Sequence, residues 1–136
     1  MDTAYTKEEW ETLKRFIESD VSAHADAWDA AQATPRELIN ELGRRNLLTG
    51  ESAGEDSVPT FGRICQLVGA ASMSLLSLLT VHGMAQKALS LWGRAEQQEK
   101  WLTQLACGNK LGAFALTEPT IGSDANQIQC QVVEDN

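Results

Sequence analysis

The residues best placed to do chemistry lie between Ala113 and Asp124: Ala-Phe-Ala-Leu-Thr-Glu-Pro-Thr-Ile-Gly-Ser-Asp. An apolar run ends in Thr117, Pro119 directs a turn, and Gly122-Ser123 follows. Gly122 carries no side chain, so its backbone can come close to a ligand, and exposed amides there can receive an anion such as a phosphate. Thr117 and Ser123 add hydroxyl donors, while Pro119 and Asp124 fix the shape of the loop. The same residues are also consistent with an ordinary strand-to-loop turn that carries a Gly-Ser pair.

Other reactive side chains form no such group. Cys65, Cys107 and Cys130 are odd in number, far apart and without metal-ligand spacing, and His24 and His82 lie far from them. All three cysteines read as reduced and structural, and no metal is expected. His82 follows an apolar run and reads as a satisfied helix-end histidine. Trp10, Trp28, Trp92 and Trp101 sit at helical spacing and read as packing. Neither a P-loop nor a Gly-x-Gly-x-x-Gly fingerprint occurs. A net charge of -8 argues against nucleic acid, whose phosphates are held by clustered Lys and Arg. No apolar run reaches the ~18 residues of a spanning helix, and Met1 to Glu11 is polar and acidic, unlike a signal peptide. A cytoplasmic protein without a membrane segment is the expectation.

The elements that must position the loop are helical. Thr6 with Glu9 three residues on forms a capping-box pattern. Trp10, Leu13, Ile17, Val21, His24 and Trp28 then recur on one face at three- and four-residue steps. Thr34 reads as a cap and Pro35 as the first position of a short helix to about Arg45, burying Leu38, Ile39 and Leu42. Gly50 to Ser57 reads as a loop. From Thr60, apolar residues at helical spacing with little charge opposite predict a central bundle helix. It continues to a stop at Gly93, with a break at Gly83. Arg94 to Ala106 predicts a further helix burying Trp101, Leu102 and Leu105 and ended by Gly108.

Past Gly108 the helical period is lost. Leu111 to Leu116 is a short apolar run, and Ile128, Cys130 and Val132 alternate with polar residues as in a half-buried strand. The predicted fold is therefore mainly α: a helical bundle over residues 1–110, then the first strands of a β domain over 111–136. A sheet rarely has one or two strands, so the chain reads as cut short after the turn-like Glu134-Asp135-Asn136.

Leu116-Thr-Glu-Pro-Thr-Ile-Gly-Ser-Asp124 resembles the signature of the acyl-CoA dehydrogenase family, in which Leu-Thr-Glu-Pro precedes Gly-Ser-Asp by two residues. The approach from Leu91 to Pro119 is similar too, with a helix ending in Gly, a Glu-Gln-Lys helix and Ala-x-Gly before the strand. Leu47-Leu48 after Gly43 and the Val81-His82 pair also fit. Gly50 to Pro59 departs from the Pro-Glu-x-Tyr-Gly-Gly-like segment of many relatives.

The resemblance implies an N-terminal portion of an FAD-dependent oxidoreductase that performs α,β-dehydrogenation of an acyl thioester. By position, Phe114, Leu116 and Thr117 match residues along the flavin ring, and Gly122 and Ser123 match those that meet the FAD pyrophosphate. Ser123 also falls near the thioester arm of the substrate. Leu76, Thr80 and Met84, at four-residue steps, fall where relatives line the acyl pocket, although core packing explains Leu76 and Met84 equally well. The implied partners are acyl-CoA or an acyl carrier protein, an electron-transfer acceptor, and further copies in a full-length homo-oligomer. The family's carboxylate base comes from a later helical domain. Neither Glu118 nor Asp124 matches it, so no catalytic residue is named and the chain alone is expected to be inactive. The competing expectation is a non-catalytic helical binding or assembly module that keeps the fold.

Overall fold

The computed structural model describes residues 5–49, 57–131 and 133. Of the loop expected from Gly50 to Ser57, residues 50–56 lie outside them, as do Val132 and the tripeptide Glu134-Asp135-Asn136, while Ser57 already belongs to a helix. Among the described residues the chain is mainly helical.

Helix α1, Lys7–Phe16, begins where the sequence predicts. The Thr6 amide donates to Glu9 Oε2 at 2.6 Å, and the Glu9 amide donates to Thr6 Oγ1 at 3.3 Å, so two otherwise unpaired amides are satisfied. The helix runs on into a π-helical stretch, Ile17–Ser22, which corrects the expected face. A π turn takes more than four residues, so the buried positions step by four, from Ile17 to Val21 to Ala25. His24 therefore faces solvent, stacked on a half-buried Trp28 at 5.7 Å.

After α2, Ala25–Ala30, comes α3, Arg36–Arg44. Pro35 itself occupies the cap position, one residue later than predicted. The end of α3 is a Schellman motif. The Leu47 amide donates to the Leu42 carbonyl at 2.9 Å and the Asn46 amide to the Gly43 carbonyl at 3.0 Å, with Asn46 at a φ of 57°. Leu42 and Leu47, the apolar pair of that motif, are buried in the core with Leu38, Ile39 and Leu48. Gly43 is where α3 meets the chain end of a later helix, and a Cβ there would overlap the Cys107 carbonyl.

Helices α4, Ser57–Ala71, and α5, Met73–Trp92, form the centre of the bundle. The break between them falls at Ser72 and not at Gly83. Ser72 is extended, with φ -154° and ψ 115°, and its Oγ accepts the Leu75 amide at 3.2 Å. Gly83 lies buried inside α5, where a helix held by neighbours on both sides tolerates it. Ile64 and Val68 of α4 and Leu75 and Leu79 of α5 complete the core. On the other side α5 packs against α6, Ala95–Ala106. Leu105 of α6 is buried and Leu102 half-buried, but Trp101 is exposed, with Lys100 Nζ 4.8 Å from its ring. Trp92, 79% exposed at the end of α5, is likewise not buried. Helical spacing assigns a residue to a face without supplying a neighbour to cover it. Of the four tryptophans only Trp10 is buried, under Tyr5 and the Arg63 guanidinium.

No strand forms among the described residues after α6. The expected strand at Leu111–Leu116 is irregular, and Ile128 and Cys130 are exposed. A strand's amides and carbonyls need a neighbouring edge, and the described chain offers none. The pairing that does occur is a single bridge, Glu118 with Ile121.

Candidate functional site

The site is assembled on α5. Within its apolar sequence two polar residues one turn apart, His82 and Gln86, are each 1% exposed. A buried polar side chain must find a partner, and these find three segments of backbone. His82 Nε2 lies 3.1 Å from the Leu105 carbonyl, and the Gly112 amide donates to His82 Nδ1 at 3.0 Å. Because an amide can only donate, Nδ1 carries no proton, and Nε2–H donates to Leu105. Burial holds the imidazole below its ordinary range, against the opposing effect of its backbone partners. Gln86 Nε2 donates to the Leu48 carbonyl. A neutral, mid-helix His82 thus ties α5 to the end of α6 and to the first residues of the segment that follows. Gly112 permits this closeness, since a Cβ there would meet the Ala85 Cβ at 2.8 Å.

Two residues beyond that tether, Phe114 turns over α5 and helps line a cavity of about 330 Å³. The remaining walls are Phe61 of α4 and Thr80, Gly83, Met84, Lys87, Ala88 and Trp92 of α5. The lining is apolar apart from the Thr80 hydroxyl and Lys87, and Thr80 Oγ1 is turned back to the Leu76 and Ser77 carbonyls at 3.1 and 3.0 Å. Of the residues singled out in the sequence, Phe114, Thr80 and Met84 therefore meet in one place. Leu76 does not join them. It lies half-buried against the core with its Cδ2 over Gly69 of α4.

The other singled-out residues follow Phe114 along the chain. Leu116 is 45% exposed, and Thr117, Gly122 and Ser123 are exposed. Among the described residues neither Thr117 nor Ser123 uses its hydroxyl in an internal bond, and a Cβ on Gly122 would meet nothing within 4 Å. The arrangement offers two exposed apolar side chains beside two uncommitted hydroxyls and an open glycine backbone. It can receive a flat apolar ligand with a polar edge and an anionic extension. Among the described residues the two carboxylates of this segment are engaged internally: Glu118 by the amides of Gln129 and Cys130, and Asp124 by the Gln127 side chain.

Sequence reasoning missed the His82 tether, the cavity walls Phe61, Lys87, Ala88 and Trp92, and the engagement of Glu118. The available signal was the pair of polar residues at i and i+4 in an otherwise apolar helix. None of the three cysteines is in a disulfide, and Cys107 and Cys130 are exposed. Among the described residues no cluster could hold a metal, and no helix is long and apolar enough to cross a membrane.

The family model for the acyl-CoA dehydrogenase N-terminal domain matches residues 4–109. The chain is 31% identical to acryloyl-CoA reductase (NADH) of Anaerotignum propionicum over 145 residues, covering 100% of this chain and 36% of that protein. Glutaryl-CoA dehydrogenase of Mycobacterium smegmatis superposes with a TM-score of 0.78 at 30% identity, over 94% of this chain and 35% of that one. A glutaryl-CoA dehydrogenase of the same organism in complex with FADH2 matches at 25% identity and a TM-score of 0.78, with the same coverage. The chain thus spans about a third of the length of these relatives.

Proposed function

The chain belongs to the acyl-CoA dehydrogenase family, and from that membership we propose that it builds one wall of a site where an acyl thioester is dehydrogenated between its α and β carbons with FAD. The observation that carries this reading is the His82 tether. It sets Phe114 over the α5 cavity, immediately before a segment with exposed apolar groups, uncommitted hydroxyls and an open Gly122.

The residues present fit a flavin. Phe114 and Leu116 offer apolar surface to the ring and Thr117 a donor to its polar edge, while Gly122 and Ser123 are free to meet a pyrophosphate. A relative of similar fold described in complex with FADH2 supports the choice of cofactor. When bound, FAD supplies the two-electron acceptor. This chain's own residues bind and orient: Thr80 and Met84 face the acyl chain in the cavity, and Ser123 lies toward the thioester. Acyl-CoA or an acyl carrier protein brings the substrate, and an electron-transfer acceptor takes the electrons. The base that removes the α-proton comes from outside residues 5–131.

A second reading is favoured by the open face of α5, where Val81, Met84, Leu91 and Trp92 are 37–79% exposed. A helical assembly module would dock a partner there without redox chemistry. Titration of the chain with FAD, followed by flavin fluorescence, separates the two. Saturable binding weakened roughly tenfold by Thr117→Ala with Ser123→Ala is expected for the flavin wall. Binding indifferent to both substitutions, or no saturation, overturns that wall and leaves the assembly reading.

A further inference from the structure

The described residues after α6 have almost no regular structure, yet one residue closes the segment twice. Glu118 pairs with Ile121 through its backbone, amide to carbonyl at 3.0 Å and carbonyl to amide at 3.1 Å. This folds Pro119 and Thr120 into a tight turn and brings Ile121 to 9% exposure. The Glu118 carboxylate then reaches across to the far end of the loop. The Gln129 amide donates to Oε1 and Oε2, each at 3.1 Å, and the Cys130 amide donates to Oε1 at 2.7 Å. Amides aimed at a carboxylate make charge-assisted bonds, stronger than neutral ones. Where no strand edge is present, Glu118 supplies the acceptor that a sheet partner supplies elsewhere.

Gly122 and Ser123 lie between those two closures; glycine has no side chain to anchor it, and among the described residues the Ser123 hydroxyl makes no hydrogen bond. Their placement follows from the turn at one end and the clasp at the other. Asp124, which accepts the Gln127 side chain at 2.6 Å and the Gln127 amide at 3.1 Å, tightens the middle of the loop without tying it to either end.

We propose that Glu118 is a positioning residue. By holding the amides of Gln129 and Cys130, its carboxylate sets the conformation in which Gly122 and Ser123 are presented to the cofactor. The part that concerns the cofactor rests on the flavin reading above, whereas the clasp itself does not.

The test compares Glu118→Ala with Glu118→Gln in the full chain, by amide NMR with hydrogen exchange and by FAD titration. Glutamine keeps a side-chain oxygen of the same reach, so it can still accept from both amides. Alanine cannot. In Glu118→Ala the amides of Gln129 and Cys130 are expected to lose protection, and the Gly122 and Ser123 resonances to move. FAD affinity falls roughly tenfold, while exchange within α5 stays unchanged and shows an intact bundle. Glu118→Gln is expected to restore most of each effect. Unchanged Gly122 and Ser123 resonances in Glu118→Ala overturn the proposal, as does a glutamine variant as impaired as the alanine one. A wild-type chain that shows the clasp by exchange but binds no FAD overturns the flavin reading instead.

Discussion

The bundle of α1 to α6 and the segment from Leu111 to Gln131 satisfy their backbones by different means, although both belong to one short chain. In the bundle the amides and carbonyls are paired within each helix, so a period of apolar residues is enough to place a face and bury it. In the segment the apolar residues are present, but the backbone needs a partner strand that the described residues do not supply. There the chain is held at isolated points: His82 to Gly112, the backbone of Glu118 to Ile121, and the Glu118 carboxylate to Gln129 and Cys130. Stability is therefore concentrated in the bundle, while the groups available to a ligand are concentrated in the segment. A binding surface needs uncommitted donors that a ligand can reach, and the one buried side-chain donor left unpaired among the described residues, the Trp10 indole N–H, is sealed in the core.

The largest effect expected from that contrast compares two leucines. Leu42 is fully buried at the junction of α3 with the core. Leu42→Ala is expected to cost about 3 kcal/mol through lost burial and the cavity left behind. Leu116, nearly half exposed, is expected to change stability by less than about 0.5 kcal/mol when cut to alanine. Urea unfolding followed by far-ultraviolet circular dichroism reads both. Equal losses would mean that the segment packs as tightly as the bundle, and would break the comparison.

That contrast also explains what was legible in the sequence. The capping box at Thr6, the burial of Leu38, Ile39 and Leu42, and the stop at Gly93 depend on neighbours within a turn, and local pattern carries them. The shift from His24 to Ala25 depends on a π-helical stretch that apolar spacing does not announce. Helical spacing reads Trp92 and Trp101 as packing, yet their exposure depends on which helix lies opposite. In the site, Phe114, Thr80 and Met84 were legible as separate positions. Their meeting was not, because it depends on a hydrogen bond across 30 residues from His82 to Gly112.

That bond joins the two regions, and its removal is the next largest effect. His82→Leu keeps the volume roughly but leaves the Leu105 carbonyl and the Gly112 amide without their partner, at a cost of about 2 kcal/mol. Hydrogen exchange at Gly112 should rise along with the loss in melting temperature. An unchanged Gly112 would mean that the segment is held by something other than the tether. The same histidine gives the join a pH dependence. Burial lowers its folded pKa, so the unfolded chain takes up the proton first. The contribution of neutral His82 is therefore complete above the unfolded value of ~6.5 and is lost as pH falls from there through the folded value. Wild type should lose stability over that interval, and His82→Leu should lack this component.

The smallest effect tests whether the bundle also relies on a single side chain where its helical pairing is interrupted. Between α4 and α5 the chain is extended at Ser72, and the buried Leu75 amide has the Ser72 hydroxyl as its acceptor. This is the arrangement of Glu118 on a smaller scale: a side-chain oxygen replaces a backbone partner at a break. Ser72→Ala is expected to cost about 1 kcal/mol, the usual worth of such a cap, and Ser72→Asp to recover part of it, since a carboxylate also caps and suits the positive end of α5. If alanine costs nothing, the break is set by packing of α4 on α5 alone. Side-chain clasps would then matter only in the segment, and the division between the two regions would be sharper still.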